Sequence, residues 1–166
     1  TQGMSMIQQP PPFLIGQRLN THVTQKFNKL IMAGKFDGAL ELARQQMDSG
    51  AHGLDLCTAL TERPDEADLM RRLVKTLAPT VRIPLIIDST EPEVVEAALQ
   101  TAPGRCLINS TNLEAGRQKA ERIFGLATRY NAAVIALTID EQGMAKTAQR
   151  KLEVAWRIHQ MAVDEF

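Results

Sequence analysis

Apolar residues follow two alternating patterns along the chain. Short apolar runs, typical of strands buried on both faces, occur at 13–16, 53–57, 84–87, 106–108 and 133–137. Between them apolar residues recur every three or four positions, as on one face of a helix, over about 24–32, 36–48, 62–78, 91–102, 114–130 and 146–162. Such strands separated by helices predict a parallel sheet under crossover helices. Residues 1–12, which end in three prolines, are predicted to be an extended leader, so we place the domain at 13–166.

Two α/β folds contain such a sheet, the open doubly wound sheet and the (β/α)8 barrel. Polar residues decide between them, because a carboxylate or carboxamide stands at or near the end of each predicted strand: Asn20, Asp55, Asp88, Asn109 and Asp140. In a parallel barrel all five lie on the carboxyl-terminal rim, where barrel enzymes have their active sites. We therefore predict a partial (β/α)8 TIM barrel of five parallel strands with intervening helices.

A lone Asp or Asn at a strand end often caps the next helix instead of binding a ligand. Asp88, however, is followed by Ser89 and Thr90, and Asn109 by Ser110, so other side chains are available as caps. The rim residues are acids and amides without a glycine-rich phosphate loop, which suits a neutral heterocycle with N–H donors and a ring carbonyl. A 2-amino-4-oxo pterin has that pattern, as do many other ligands.

Composition narrows the function further. The chain has 166 residues, enough for one domain, and 19 basic against 19 acidic residues give a net charge of zero. This balance disfavours nucleic acid and anionic membrane surfaces as partners, and no apolar run reaches the roughly 18 residues of a membrane span. Cys57 and Cys106 lie far apart and the three histidines are scattered, so we expect buried, reduced thiols, no metal site and a cytoplasmic protein.

Four segments resemble motifs of the pterin-binding methyltransferase family, in the same order and at similar spacing. Residues 15–20, Ile-Gly-Gln-Arg-Leu-Asn, resemble its IGERxN opening, and residues 87–90, Ile-Asp-Ser-Thr, its IDS(S/T) motif. Residues 108–111 are similar to its (I/V)NS motif, and residues 138–143 to its DEQG-like loop. The family includes the folate domain of cobalamin-dependent methionine synthase and the methyltetrahydrofolate:corrinoid methyltransferases, and dihydropteroate synthase is a more distant relative.

The resemblance implies a barrel whose carboxyl-terminal mouth holds methyltetrahydrofolate. It implies pterin contacts from Asp88 and Asn109, supported by Asp55, with Asn20 and Asp140 lining the same mouth, and it assigns no catalytic residue. The N5 methyl group would pass to the Co(I) of a corrinoid such as cobalamin, carried on a partner domain or protein. Such a methyltransferase would act in one-carbon metabolism and methionine biosynthesis.

The sequence departs from the family pattern in several places. Gln17 replaces the glutamate of the opening motif, residues 23–27 lack a glycine and an arginine of a GSRKF-like stretch, and residues 55–57 replace Asp-x-Asn with Asp-Leu-Cys. The family's further pterin-binding Asp and its N5-contacting Asn belong to later strands than the five found here.

Five β/α units are too few to close a barrel. Eight units at this spacing need about 250 residues, and five would leave two open edges and an uncovered apolar sheet face. We therefore expect a fragment that lacks the carboxyl-terminal half of the barrel, a dimeric or domain-swapped assembly, or a truncated homologue.

Two other functions remain open. A dihydropteroate synthase-like enzyme would join a pterin pyrophosphate to p-aminobenzoate and should need basic residues for the pyrophosphate. A catalytically inactive partial barrel would act as an interaction module.

The last predicted helix carries a specific packing expectation. Leu152, Ala155, Trp156 and Ile158 have the spacing of one helix face, so we expect them to be buried, with Trp156 in the core and not a stacking platform for a ligand.

Overall fold

The computed structural model describes residues 12–166, in which strands and helices alternate. The strands are β1 (Ile15–Asn20), β2 (Gly53–Cys57), β3 (Leu85–Asp88), β4 (Leu107–Thr111), β5 (Ala133–Ala136), β6 (Ile139–Asp140) and β7 (Gly143–Met144). The helices are α1 (Gln25–Met32), α2 (Phe36–Asp48), α3 (Glu66–Leu77), α4 (Pro92–Leu99), α5 (Arg117–Arg129) and α6 (Ala148–Asp164). Within the described residues no helix is both long enough and apolar enough to cross a membrane. The predicted leader lies almost wholly outside the described residues.

The strands β1 to β5 form one parallel sheet in the order in which they occur along the chain. In a doubly wound sheet the strand order reverses at a switch point, whereas successive units of a (β/α)8 barrel add strands in sequence. The prediction of a partial barrel with five parallel strands is therefore confirmed. In the described chain β1 and β5 each have a neighbour on one side only, so the sheet has the two edges that we expected.

One face of the sheet packs against the helices and forms the main core. Strand residues of this core include Leu54, Leu56, Ile87 and Ile108, and helix residues include Phe27, Leu42, Leu73, Val95 and Ile123. All of these side chains are essentially inaccessible to solvent. Each buried leucine or isoleucine stabilises the fold by roughly 1.5–3 kcal/mol relative to leaving it exposed, so this face holds the sheet in place.

The opposite face carries a smaller apolar cluster of Ile86, Leu107 and Ala133, with Ile135 packed against it. These three side chains are buried, so the expectation of an uncovered apolar sheet face is wrong at these positions. Part of the cover comes from the chain itself. A Cβ atom on Gly53 would lie 2.6 Å from Ile86 Cδ1 and 3.1 Å from the Phe13 ring, so both side chains lie directly over the glycine.

Several predicted boundaries differ from the structure by three residues or fewer, and two were wrong by four. The first strand extends to Asn20 instead of ending at residue 16, so Asn20 is its last residue. Because β1 is an edge strand, exposed polar residues such as Gln17 are tolerated within it, and they hid its length. The third helix begins at Glu66 rather than near residue 62, since Arg63 Nε donates to Asp65 Oδ1 at 2.8 Å in a turn that precedes the helix.

A short antiparallel hairpin, β6–β7, follows β5 and was not anticipated from the sequence. Gly143 has a φ of +90°, a conformation that favours glycine at this turn. The Asp140 carboxylate, 1% exposed, accepts the backbone N–H of Gln142 and is paired with Arg150 and Arg157 of α6. This carboxylate therefore fastens the hairpin to the helix.

Of the four residues of α6 that we expected to be buried, only Ile158 is buried. The helix buries Val154, Ile158 and Met161, which lie at i, i+4 and i+7, against α5 and the segment after β4. Trp156 is 57% exposed, and its ring lies 5.6 Å from that of His159. Apolar residues surround much of this helix, so periodicity alone did not identify the face that is covered.

The Asp140 arrangement predicts the effect of Asp140→Asn on stability. Burial acts to raise the pKa of Asp140, but the Gln142 N–H and the two guanidinium groups outweigh it and hold the pKa below its usual range. A lowered pKa stabilises the fold above the unfolded value of about 4, and this contribution is lost as the pH falls through the folded value. We expect Asp140→Asn to lower the urea midpoint at neutral pH, and the difference from wild type to shrink below about pH 4.

Glu141→Gln is the matched control for that measurement. Glu141 also pairs with Arg157, but both side chains are about half exposed, so the pair contributes little. Equal effects of the two substitutions, or a difference for Asp140→Asn that does not change with pH, would contradict the role given to Asp140.

Candidate functional site

Four polar side chains at the carboxyl ends of consecutive strands form one hydrogen-bonded group, here called the strand-end cluster: Asn20 of β1, Asp55 of β2, Asp88 of β3 and Asn109 of β4. Asn20 Nδ2 donates to Asp55 Oδ2 at 3.0 Å and to Asp88 Oδ2 at 2.7 Å. Asn109 Nδ2 donates to Asp55 Oδ1 over a longer distance of 3.4 Å. The structure thus brings together four of the five residues that the sequence analysis placed at one mouth.

The strand register explains why these residues meet. Asp88 is paired directly with Asn109 on the neighbouring strand, and Asn20 is paired with Cys57, two residues beyond Asp55. Because the strands are parallel, residues at the same level point to the same face. Asp55 lies one layer deeper than the others, so the Asn20 and Asn109 amides reach it from above.

Helix capping does not account for Asp88 or Asn109. The N–H of Glu91 donates to Ser89 Oγ at 3.2 Å, and the N–H of Glu114 donates to Asn112 Oδ1 at 2.9 Å. These bonds stabilise the loops before α4 and α5. The N-cap residues of the two helices are Glu91 and Gly116, without a side-chain cap, so the caps that the sequence offered at Ser89, Thr90 and Ser110 are not used. Asp88 and Asn109 are left to face the rim.

Burial separates the cluster into an inner and an outer pair. Asn20 is 4% exposed and Asp55 1%, whereas Asp88 and Asn109 are only partly buried. Among the hydrogen bonds of the described residues, Asp88 Oδ1 and Asn109 Oδ1 have no partner, and the Asn109 amide donates only once. The outer pair therefore offers two acceptor oxygens and one N–H to a ligand.

Electrostatics distinguish Asp88 from an ordinary surface carboxylate. Burial raises its pKa, and the negative charge of Asp55 raises it further, while the hydrogen bond from Asn20 lowers it in part. The one cation among the causes of this shift is His22, whose charge lowers the pKa, whereas a hydrogen bond between the Asp55 and Asp88 carboxyl groups raises it. Raised carboxylate pKa values at a partly open polar site are a mark of functional positions.

Glu66 belongs to the same rim, and sequence reasoning missed it. It lies in the first turn of α3, and Ser89 Oγ lies 3.5 Å from its Oε1. Burial raises the pKa of Glu66, and the charges of Glu91 and Asp88 act in the same direction. Its position was detectable in principle, because the first turn of a helix that follows a barrel strand begins at the carboxyl-terminal rim.

The two cysteines are buried, as expected, and both are free thiols. Burial is the largest cause of the raised pKa of the Cys57 thiol. Burial also raises the pKa of Cys106 to about 11. Both therefore remain protonated near neutral pH.

The structure does not bring Asp140 into the strand-end cluster. Its carboxylate is held by Gln142, Arg150 and Arg157, because the two arginines lie seven residues apart on α6 and face the hairpin together. A ligand contact from Asp140 stays a prediction.

Comparison with known proteins agrees with the geometry. Residues 16–165 match the family model described as pterin binding enzyme. The chain is 40% identical over 148 residues to a methionine synthase of Mycobacterium tuberculosis, a match that covers 87% of this chain and 12% of that protein. It is also 40% identical over 154 residues to a methionine synthase of Mycobacterium leprae, covering 91% of this chain and 13% of that protein.

The chain thus spans only about an eighth of the length of these relatives. The family match, however, extends over nearly all of the sequence and includes every residue of the strand-end cluster. Five parallel strands in sequential order, the strand-end cluster and this match lead to one conclusion: the chain belongs to the family of pterin-binding enzymes.

Proposed function

We propose that this chain binds the pterin ring of methyltetrahydrofolate and forms part of an enzyme that transfers its N5 methyl group to a corrinoid. The observation that carries the proposal is the outer pair of the strand-end cluster, Asp88 and Asn109, with polar atoms free at the rim. The similarity to two methionine synthases supports a folate as the pterin.

The hydrogen-bond donors and acceptors of the outer pair are complementary to those of a reduced pterin. The pyrimidine half of a reduced pterin presents an amino group, a ring N–H and a carbonyl oxygen. Asp88 Oδ1 accepts an N–H, while the Asn109 carboxamide both accepts and donates, so it can meet a ring N–H and the carbonyl. Asp55 receives the other Asn109 hydrogen bond and thereby fixes the orientation of that amide.

The contribution of these residues to methyl transfer is positioning. A tertiary amine nitrogen such as N5 is a poor leaving group, so the transfer needs protonation of N5 or a strengthened hydrogen bond to it. When bound, a corrinoid supplies the nucleophile, a Co(I) centre, and we assign none of the described residues to holding it. By fixing the pyrimidine ring, Asp88 and Asn109 restrict where the N5 methyl group lies, which lowers the entropic part of the barrier.

A dihydropteroate synthase-like reaction is less well supported. A pyrophosphate leaving group calls for basic residues near the pterin, whereas the charged neighbours of Asp88 within the described chain include Asp55 and Glu66. These acids would repel a pyrophosphate.

The alternative to an enzyme is a catalytically inactive partial barrel that acts as an interaction module. Within the described residues the sheet has open edges at β1 and β5, and the relatives are about seven times as long as this chain. Calorimetric titration with methyltetrahydrofolate discriminates between the two. The 166-residue chain and the longest polypeptide of its reading frame should be compared, and absence of heat in both would favour the inactive module.

We expect Asn109→Ala to weaken methyltetrahydrofolate binding by roughly 1–3 kcal/mol, because a pterin N–H or carbonyl then loses its partner in a partly buried site. Isothermal titration calorimetry measures this effect. Asn112→Ala is the matched control, since Asn112 lies three residues away and its carboxamide oxygen accepts the N–H of Glu114 in the local turn. Equal Kd values for Asn109→Ala and wild type would remove Asn109 from the site.

A second prediction concerns pH. The ionised Asp88 carboxylate is a stronger acceptor for a pterin N–H at Oδ1 than the protonated carboxyl group, so acidification through its raised pKa should weaken binding. The weakening should begin at a higher pH than the value of about 4 that is usual for aspartate. Because the ligand itself titrates, Kd is compared with that of Asp88→Asn at each pH. Their ratio should approach one in acid, and a constant ratio would show that Asp88 does not act through its charge.

A further inference from the structure

Asn20 makes its hydrogen bonds within the protein and leaves little for a ligand. Both hydrogens of its amide are used, one for Asp55 Oδ2 and one for Asp88 Oδ2. Its Oδ1 accepts the backbone N–H of His22 at 3.0 Å. With 4% of its surface exposed, the side chain has almost no area that a ligand could touch.

The same bonds solve an electrostatic problem of the cluster. Asp55 and Asp88 come from adjacent strands and accept hydrogen bonds from a single nitrogen, so two carboxylates lie close together in a poorly solvated place. Like charges at such a separation repel each other strongly when water is excluded. A neutral N–H2 group between them offsets part of the repulsion without adding charge.

The two hydrogen bonds from the Asn20 amide to the Asp55 and Asp88 carboxylates, here called the bridge, also determine which oxygen of Asp88 remains available. Since Oδ2 is held at 2.7 Å by Asn20, the rotation of the Asp88 carboxylate is restricted, and Oδ1 is the oxygen without a partner in the described part of the chain. A ligand therefore meets an acceptor whose position is set before binding.

We propose that Asn20 is a positioning residue, whose amide holds the Asp55 and Asp88 carboxylates side by side and keeps Asp88 Oδ1 free for the ligand. Asn20 acts through Asp88 and does not itself touch the pterin. This inference rests on the proposed function for the identity of the ligand, but the arrangement it describes exists in the ligand-free protein.

A positioning role has an electrostatic consequence that can be measured. Within the described residues, the titratable groups around Asp88 are Asp55 and Cys57 of β2, His22 of the loop after β1, and Glu66 of α3. The negative charge of Asp55 favours protonation of Asp88, the charge of His22 opposes it, and the protonated Cys57 thiol carries no charge. The Asn20 hydrogen bond lowers the pKa of Asp88, so its loss should move the titration of Asp88 to higher pH.

Two substitutions remove the bridge in different ways. Asn20→Asp keeps the size of the side chain and the acceptor for the His22 N–H but loses both donors. Asn20→Ser replaces the two amide donors with one O–H on a shorter side chain, which is unable to bridge both carboxylates, and it adds no charge. Asn28→Asp is the matched control, because it makes the same chemical change eight residues away, where the amide donates to the backbone oxygen of Thr21 outside the cluster.

The first test needs no ligand. The side-chain carboxyl carbon of Asp88 is followed by NMR as a function of pH in the wild-type chain and the three variants. We expect Asp88 to titrate at higher pH in Asn20→Asp and in Asn20→Ser, and unchanged in Asn28→Asp. An Asp88 titration that is the same in all four proteins would overturn the proposal.

A measurement on the wild-type chain covers the case in which a variant does not fold. The side-chain N–H2 resonances of Asn20 should shift with pH and share the midpoint of Asp88, because one hydrogen is bonded to that carboxylate. Resonances that stay constant through the Asp88 titration would contradict the bridge, whatever the variants do.

The second test connects the bridge to binding. We expect Asn20→Ser to weaken methyltetrahydrofolate binding by about tenfold or more at pH 7, the effect of losing a hydrogen bond to a charged group. The loss should diminish as the pH is raised and Asp88 ionises. A loss that is independent of pH would mean that Asn20 only supports the fold. Absence of binding to wild type would instead refute the proposed function, while the NMR titrations would still decide the role of Asn20.

Discussion

The shared direction of consecutive parallel strands is the constraint on which the site depends. Each of β1 to β4 delivers its carboxyl end to the same rim, so side chains distant in sequence come within hydrogen-bond distance. The register determines their depth, since Asp55 lies a layer below Asp88 and Asn109. Without sequential strand order, the same residues would have no common location.

The molecule holds its buried carboxylates in two contrasting ways. Asp140 is neutralised by two arginines, its pKa is lowered, and its role is to join a hairpin to α6. Asp55 and Asp88 are bridged by neutral amides, and the pKa of Asp88 is raised. Neutral partners cost stability compared with cations, but they leave negative charge available for the N–H groups of a ligand. This difference separates Asp140, which holds the fold together, from the acids that we propose to bind the ligand.

Much of this organisation could be predicted from the sequence, because continuously apolar strands and strand-end polar residues are local signals. The β1 boundary, the β6–β7 hairpin and the rim position of Glu66 could not, since each depends on contacts between distant segments. Trp156 was placed in the core on periodicity alone, which cannot tell which of several apolar faces of α6 is covered. The bridging role of Asn20 likewise required coordinates, because sequence gives a residue's level on the rim but not its hydrogen-bond partners.

We propose that Asp88 and Asn109 form the recognition surface for a pterin, with Asp55 and Asn20 behind them. A crystal structure of the protein with methyltetrahydrofolate bound tests this most directly. We expect Asp88 Oδ1 and the Asn109 carboxamide to lie within hydrogen-bond distance of the pyrimidine edge of the pterin, and Asn20 to make no contact with it. A pterin bound elsewhere, or at this rim without touching Asp88 and Asn109, would contradict it.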